Sequence, residues 1–103
     1  MQERRTAPRF RTNLNVRWET LKAQGRGEVC DISSSGCFVL TGGQIQEGEL
    51  VHMEMLLQNE VATLWGNVVY IISEMGFAVH FLRESPADER ALRVVLQNVK
   101  VAL

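Results

Sequence analysis

The sequence has no long apolar run: nothing in its 103 residues approaches the ~18 consecutive apolar residues that a membrane-spanning helix requires, so membrane insertion is not expected. The basic N-terminus, MQERRTAPRF, is not followed by the apolar stretch of a secretory signal, which points to a cytoplasmic protein. With two cysteines and no export signal, Cys30 and Cys37 are expected to be thiols in a reducing compartment. No repeat and no low-complexity stretch appears. Sites for catalysis and cofactors are equally sparse. Ser33, Ser34 and Ser35 lack a G-x-S-x-G elbow, and there is no phosphate-binding glycine loop. Cys30, Cys37, His52 and His80 lack the close spacing of zinc ligands. Neither an enzyme nor a metal or cofactor protein is expected.

What is present is one domain's worth of chain, 46% hydrophobic and 22% charged, with a net charge of −1. That small value conceals an asymmetry. Arg4, Arg5, Arg9 and Arg11 against Glu3 leave residues 1–11 at +3. The rest of the chain, with 7 basic and 11 acidic residues, stands at −4. A basic arm on an acidic body is a poor surface for DNA or RNA, which need a basic face or groove. It suits a compact anion held by a few side chains. Nine of the 11 cations are arginine, whose planar fork reads phosphate or a base edge bidentately.

Periodicity predicts six strands and a helix. Residues 1–10 lack periodicity and read as an arm. From Asn13, the residues Leu14, Val16 and Trp18 alternate with polar neighbours, as in a strand with one buried face. Gly25 and Gly27 read as punctuation before a second strand over Glu28–Ile32. Ser33-Ser34-Ser35-Gly36 reads as a turn, with Gly36 free to take positive φ. Further strands follow over Cys37–Thr41, Leu50–Leu57, Val61–Ile72 and Gly76–Leu82, the fifth bent at Gly66. His52 and His80 sit among apolar strand residues and read as packed side chains. Ser85-Pro86-Ala87-Asp88 then opens a helix, and Ala91, Leu92, Val95, Leu96 and Val99 form one apolar stripe along it. The expected fold is a mainly β, six-stranded antiparallel barrel over residues 11–84, closed by a helix over 85–101, in a single domain of residues 1–103.

Two segments carry the functional signal. Arg4-Arg5-Thr6-Ala7-Pro8-Arg9 holds an R-x-x-x-R pattern with an extra leading arginine, and Asp31-Ile32-Ser33-Ser34-Ser35-Gly36 holds D-x-S-x-x-G at a strand–turn junction. Each alone is weak, and both in this order, followed by four more strands and a helix, are specific. The chain resembles the PilZ domain family over nearly its whole length, and Gly76–Leu82 is similar to the family's closing strand.

The resemblance implies a bacterial receptor for the second messenger cyclic di-GMP, with Arg5 and Arg9 as its arginines and Asp31, Ser33 and Gly36 as its turn residues. It also implies a stand-alone member whose output runs through a separate effector protein. The alternative is a PilZ-like interaction adaptor that binds no nucleotide.

The chemistry agrees with the first reading. A guanidinium can clamp phosphate, grip guanine O6 and N7, or stack on the purine. The Asp31 carboxylate, acceptor-only, suits the N1–H and N2 amino donors of guanine. Ser33 can donate to phosphate or cap the turn. Arg4 adds a third cation, which favours an intercalated dimer of the ligand. Trp65 shares its register with Thr63 and Asn67, so it is either an outward stacking platform or a core residue. Arg83, at the end of the last strand, is placed to reach the ligand.

Overall fold

A computed structural model describes residues 8–102, with side chains described through Lys100. Six strands, β1 (Phe10–Glu19), β2 (Gln24–Ile32), β3 (Gly36–Leu40), β4 (Leu50–Leu56), β5 (Val61–Ile72) and β6 (Gly76–Phe81), precede one helix, α1 (Pro86–Ala102). The strands close into a barrel in the order β1-β2-β3-β6-β5-β4, every neighbouring pair antiparallel. Closure removes the sheet edges that would otherwise invite aggregation.

Alternation decides what lies inside. Val16 and Trp18 from β1, Val51, Met53 and Met55 from β4, and Phe77, Val79 and Phe81 from β6 are all buried in one core. Trp18 meets Phe77 edge to face at 5.4 Å, and its indole Nε1 donates to Thr41 Oγ1 at 3.0 Å. A large aromatic with its one polar atom satisfied suits a barrel interior.

Residues around that indole explain one departure from the sequence reading. Gly25 and Gly27 do not punctuate: β2 runs through them from Gln24. Gly25 pairs with Trp18 across the ladder, and a Cβ there would sit 2.7 Å from the indole ring. The glycine makes room for the tryptophan inside a continuous strand. The expected bend at Gly66 is also absent from the register, which shifts instead between Val68 and Tyr70. Gly66 allows close approach of the β6 backbone at His80.

Helix α1 starts as the sequence predicts. Ser85 Oγ accepts from the Asp88 N–H at 3.1 Å, and Asp88 accepts from the Glu84 N–H at 3.0 Å. Acidic residues in the first turn and Lys100 in the last complement the helix dipole. Leu92, Val95 and Val99 are buried in the barrel core, and the helix packs on β5 and β1. No helix among the described residues is long and apolar enough to cross a membrane.

The two cysteines are free thiols, Cys37 buried and Cys30 half-buried. Burial pushes both thiols above their ordinary value, Cys37 far more strongly. The thiolate is the reactive form. A thiol reagent at pH 8 should therefore label Cys30 slowly and Cys37 only after unfolding; rapid labelling of two thiols in the native protein would contradict this packing. A folded state that holds the thiol proton more tightly is stabilised below the ordinary value of 9.0 and loses that stabilisation as pH rises past it.

Candidate functional site

The site begins with two irregularities in the ladders. The β1–β2 register shifts between Arg11 and Leu14, and the β2–β3 register shifts between Val29 and Asp31. Bulges re-aim side chains and recur beside functional sites. Here they flank Asp31, which lies opposite Arg11 on β1 and opposite Phe38 on β3. Arg9 is two residues before Arg11, on the same face, so its long side chain reaches Asp31 diagonally. Its Nε donates to Oδ1 and Oδ2 at 3.1 and 3.3 Å, and Nη2 lies 2.7 Å from Oδ1. The two sequence segments, 22 positions apart, thus meet in one clasp.

The clasp is open to solvent, with Arg9 and Asp31 side chains 40% and 33% exposed. The bond to Asp31 holds the Arg9 guanidinium above its already high value, so it is permanently charged. Among the described residues no hydrogen bond engages Arg9 Nη1, and each Asp31 oxygen keeps lone-pair capacity. The pair therefore presents donors and acceptors side by side.

Beyond Asp31 the chain turns sharply. The Ser33 N–H donates to the Gly36 carbonyl at 2.8 Å, and the Ser33 hydroxyl lies 3.0 Å from that of Ser35 and accepts from the Ser35 N–H at 3.2 Å. Ser33 is buried and spends its hydroxyl within the turn. Gly36 does not adopt positive φ, contrary to the sequence reading. What requires glycine is the partner strand: a Cβ at 36 would collide with the Val79 carbonyl oxygen of β6.

Three residues at this mouth were missed from the sequence. Tyr70, Phe38 and His80 line the depression that holds Arg9, Ser33 and Gly36. Tyr70 also joins Arg9, Phe10, Arg11 and Asp31 in the adjoining one. The β5 bulge at Val69 breaks the alternation, so Val69, Tyr70, Ile71 and Ile72 are all exposed. Tyr70 rests on Phe38, ring centroids 6.2 Å apart and planes tilted by 38°. The signal was the unbroken apolar run Val68–Ile72: a half-buried barrel strand cannot hide consecutive side chains on one face. His80, read as packed, is exposed on the outer face of β6. It pairs with Gly36, where the β3 and β6 backbones approach closely.

Other expected residues lie elsewhere. Trp65 faces outward, 40% exposed, but packs against His52 with ring centroids 4.5 Å apart and planes tilted by 54°, and lines a separate depression with Thr20, Leu21 and Leu50. Arg83 reaches the turn from the side, where it bonds the Ser34 carbonyl and Glu89. Arg4 and Arg5 lie outside the described residues. Among the described residues no cluster of three or more metal-ligating side chains occurs.

Fold and mouth together define a small closed barrel with Arg9, Asp31 and the Ser33–Gly36 turn gathered at strand ends. Residues 3–97 match the PilZ domain model, and the chain belongs to that family. No protein with a curated description matches it. Among solved structures, it is similar to the PilZ domain of YcgR from Escherichia coli, solved with c-di-GMP, at 19% identity and TM-score 0.81, covering 97% of this chain and 94% of that one. It is similar to the PilZ domain of CeSA from a cellulose-synthesizing bacterium, at 13% identity and TM-score 0.78, covering 90% and 98%. MrkH of K. pneumonia, in complex with c-di-GMP, matches at 19% identity and TM-score 0.72, with 97% of this chain on 53% of that one.

Proposed function

We propose that this barrel is a non-catalytic bacterial receptor for cyclic di-GMP that passes the signal to a separate effector protein in the cytoplasm. The observation that carries the reading is the Arg9–Asp31 clasp, which joins the R-x-x-x-R and D-x-S-x-x-G segments beside Tyr70. Cyclic di-GMP has two phosphates, two guanines and a charge of about −2, which calls for cationic donors, a carboxylate for the guanine edge and an aromatic face. Arg9, Asp31 and Tyr70 supply one of each, and Arg4 and Arg5 add two cations to the same segment. Ser33 and Gly36 shape the turn against which the ligand rests. The exposed apolar strip Val69–Ile72 beside the mouth is a surface an effector can read once the nucleotide is in place.

Isothermal titration with cyclic di-GMP tests the reading. Saturable binding is expected, with two nucleotides per chain if Arg4 helps to hold an intercalated dimer. Arg4→Ala should then move the count towards one. Absence of any binding would leave the nucleotide-free adaptor as the surviving reading.

Tyr70 has its own test. Base stacking on an aromatic contributes about 1–3 kcal/mol, and the half-exposed ring of Tyr70 belongs at the low end. Tyr70→Ala should weaken binding roughly five- to tenfold, whereas Tyr70→Phe keeps the platform and should bind like the parent. An unchanged affinity in the alanine variant would remove Tyr70 from the site.

A further inference from the structure

The 33–36 turn is gripped from outside by one side chain. Arg83, two residues beyond β6, donates from Nη1 to the Ser34 carbonyl oxygen at 3.2 Å. Its Nε and Nη2 donate to the two oxygens of Glu89, each at 2.9 Å. Glu89 lies in the first turn of α1. The planar fork makes these contacts interdependent: two parallel bonds to one carboxylate fix the guanidinium plane, and that plane aims the remaining Nη1–H at Ser34. At the other end of the same helix, the Lys100 ammonium lies 5.8 Å from the ring centroid of Phe10, the residue after Arg9. Helix α1 thus touches the flanks of both recognition segments.

We propose that Arg83 and Glu89 are positioning residues for the nucleotide site: Glu89 orients the Arg83 fork, and Arg83 ties the Ser34 carbonyl, and with it the Asp31–Gly36 turn, to the start of α1. The inference rests on the cyclic di-GMP reading of that turn. It assigns Arg83 a role behind the turn instead of on the ligand, because its N–H groups are directed at Glu89 and Ser34.

Global stability does not depend on this link. Both side chains are more than two-fifths exposed, and exposed ion pairs contribute little to folding. The turn keeps its own bonds and the Phe81 N–H to Ser35 carbonyl bond at 2.9 Å. What the link removes is freedom of the Ser34 peptide. Coupling is reciprocal, so a ligand that orders the turn must also bias the first turn of α1.

The test uses the full chain as parent, Glu89→Gln, Arg83→Met and the double variant. Amide exchange is followed by NMR without ligand, and binding of cyclic di-GMP by titration. Melting temperatures should stay within about 3 °C of the parent, as for other exposed pairs. Exchange at the Ser35 amide should accelerate in both single variants while core amides of β4 and β5 keep their protection. Affinity should fall about two- to fivefold in each, and the double variant should lose no more than Arg83→Met alone, since both residues act through one contact. In the parent, ligand should shift the amides of residues 87–90; in Glu89→Gln it should not.

Unchanged Ser35 exchange in the ligand-free variants overturns the proposal, whether or not the parent binds. A parent that fails to bind cyclic di-GMP defeats the functional reading by itself, and the exchange data still show whether the pair positions the turn. Full affinity despite a loosened turn also overturns it. So does a loss beyond about a hundredfold in Arg83→Met with Glu89→Gln unaffected, because Arg83 would then touch the ligand.

Discussion

Arg9→Ala should weaken cyclic di-GMP binding about ten- to a hundredfold, the loss of charge-assisted bonds worth about 1.5–3 kcal/mol. The melting temperature of the free protein should barely move. Arg9 and Asp31 form a surface pair, 40% and 33% exposed, and such pairs contribute less than about 1 kcal/mol. Asp31 should set the choice of base. Guanine offers adjacent N1–H and N2–H donors, which a carboxylate accepts; adenine presents a lone pair at N1 and has no N2 amino group. Cyclic di-AMP keeps the ring and phosphates, so it isolates the base contact, and it should bind at least about tenfold more weakly. Asp31→Ala should narrow that gap by weakening the guanine ligand, which loses its acceptor; Arg9, released from its carboxylate, is then free for the phosphates that both ligands share, which leaves their ratio unchanged. Asp31→Asn keeps one acceptor and should be milder. Competition titrations with the two dinucleotides decide the matter. Equal affinity of the parent for both would mean that the arginines read phosphate alone.

Gly36→Ala should damage both fold and site. Its Cβ would strike the Val79 carbonyl oxygen, which belongs to backbone and cannot rotate away. Relief requires β3 and β6 to separate where Gly36 pairs with His80. Forced insertion of a methyl group into close packing costs about 1–3 kcal/mol, and each kcal/mol lowers the melting temperature of a domain this size by about 4–8 °C. The Ser33 N–H to Gly36 carbonyl bond closes the turn, so the same displacement should weaken ligand binding. Thermal melts and titration of one sample read both effects. A variant with parental stability and affinity would show that the barrel yields at this point without consequence.

Much of this molecule is written as local pattern. Two-residue alternation marks β4 and the first half of β5, because a barrel has one interior and a regular strand faces it with every second side chain. Ser85, Pro86 and Asp88 mark the helix start, because capping is satisfied by neighbours in sequence. Glycines were harder to read. Gly25 resembles a strand break and is an accommodation for Trp18, and Gly36 resembles a left-handed turn residue and is an accommodation for Val79. In each case the deciding atom belongs to another strand.

The site divides along the same line. Sequence by itself determined the two motif segments, the family they resemble and the strand count, because each depends on identities and spacings along the chain. Tertiary structure alone decided that Arg9 clasps Asp31, that Tyr70 and not Trp65 stands beside that clasp, and that Arg83 bonds the Ser34 carbonyl and Glu89. Those outcomes depend on bulge positions and cross-strand register, which are settled by packing among strands distant in sequence.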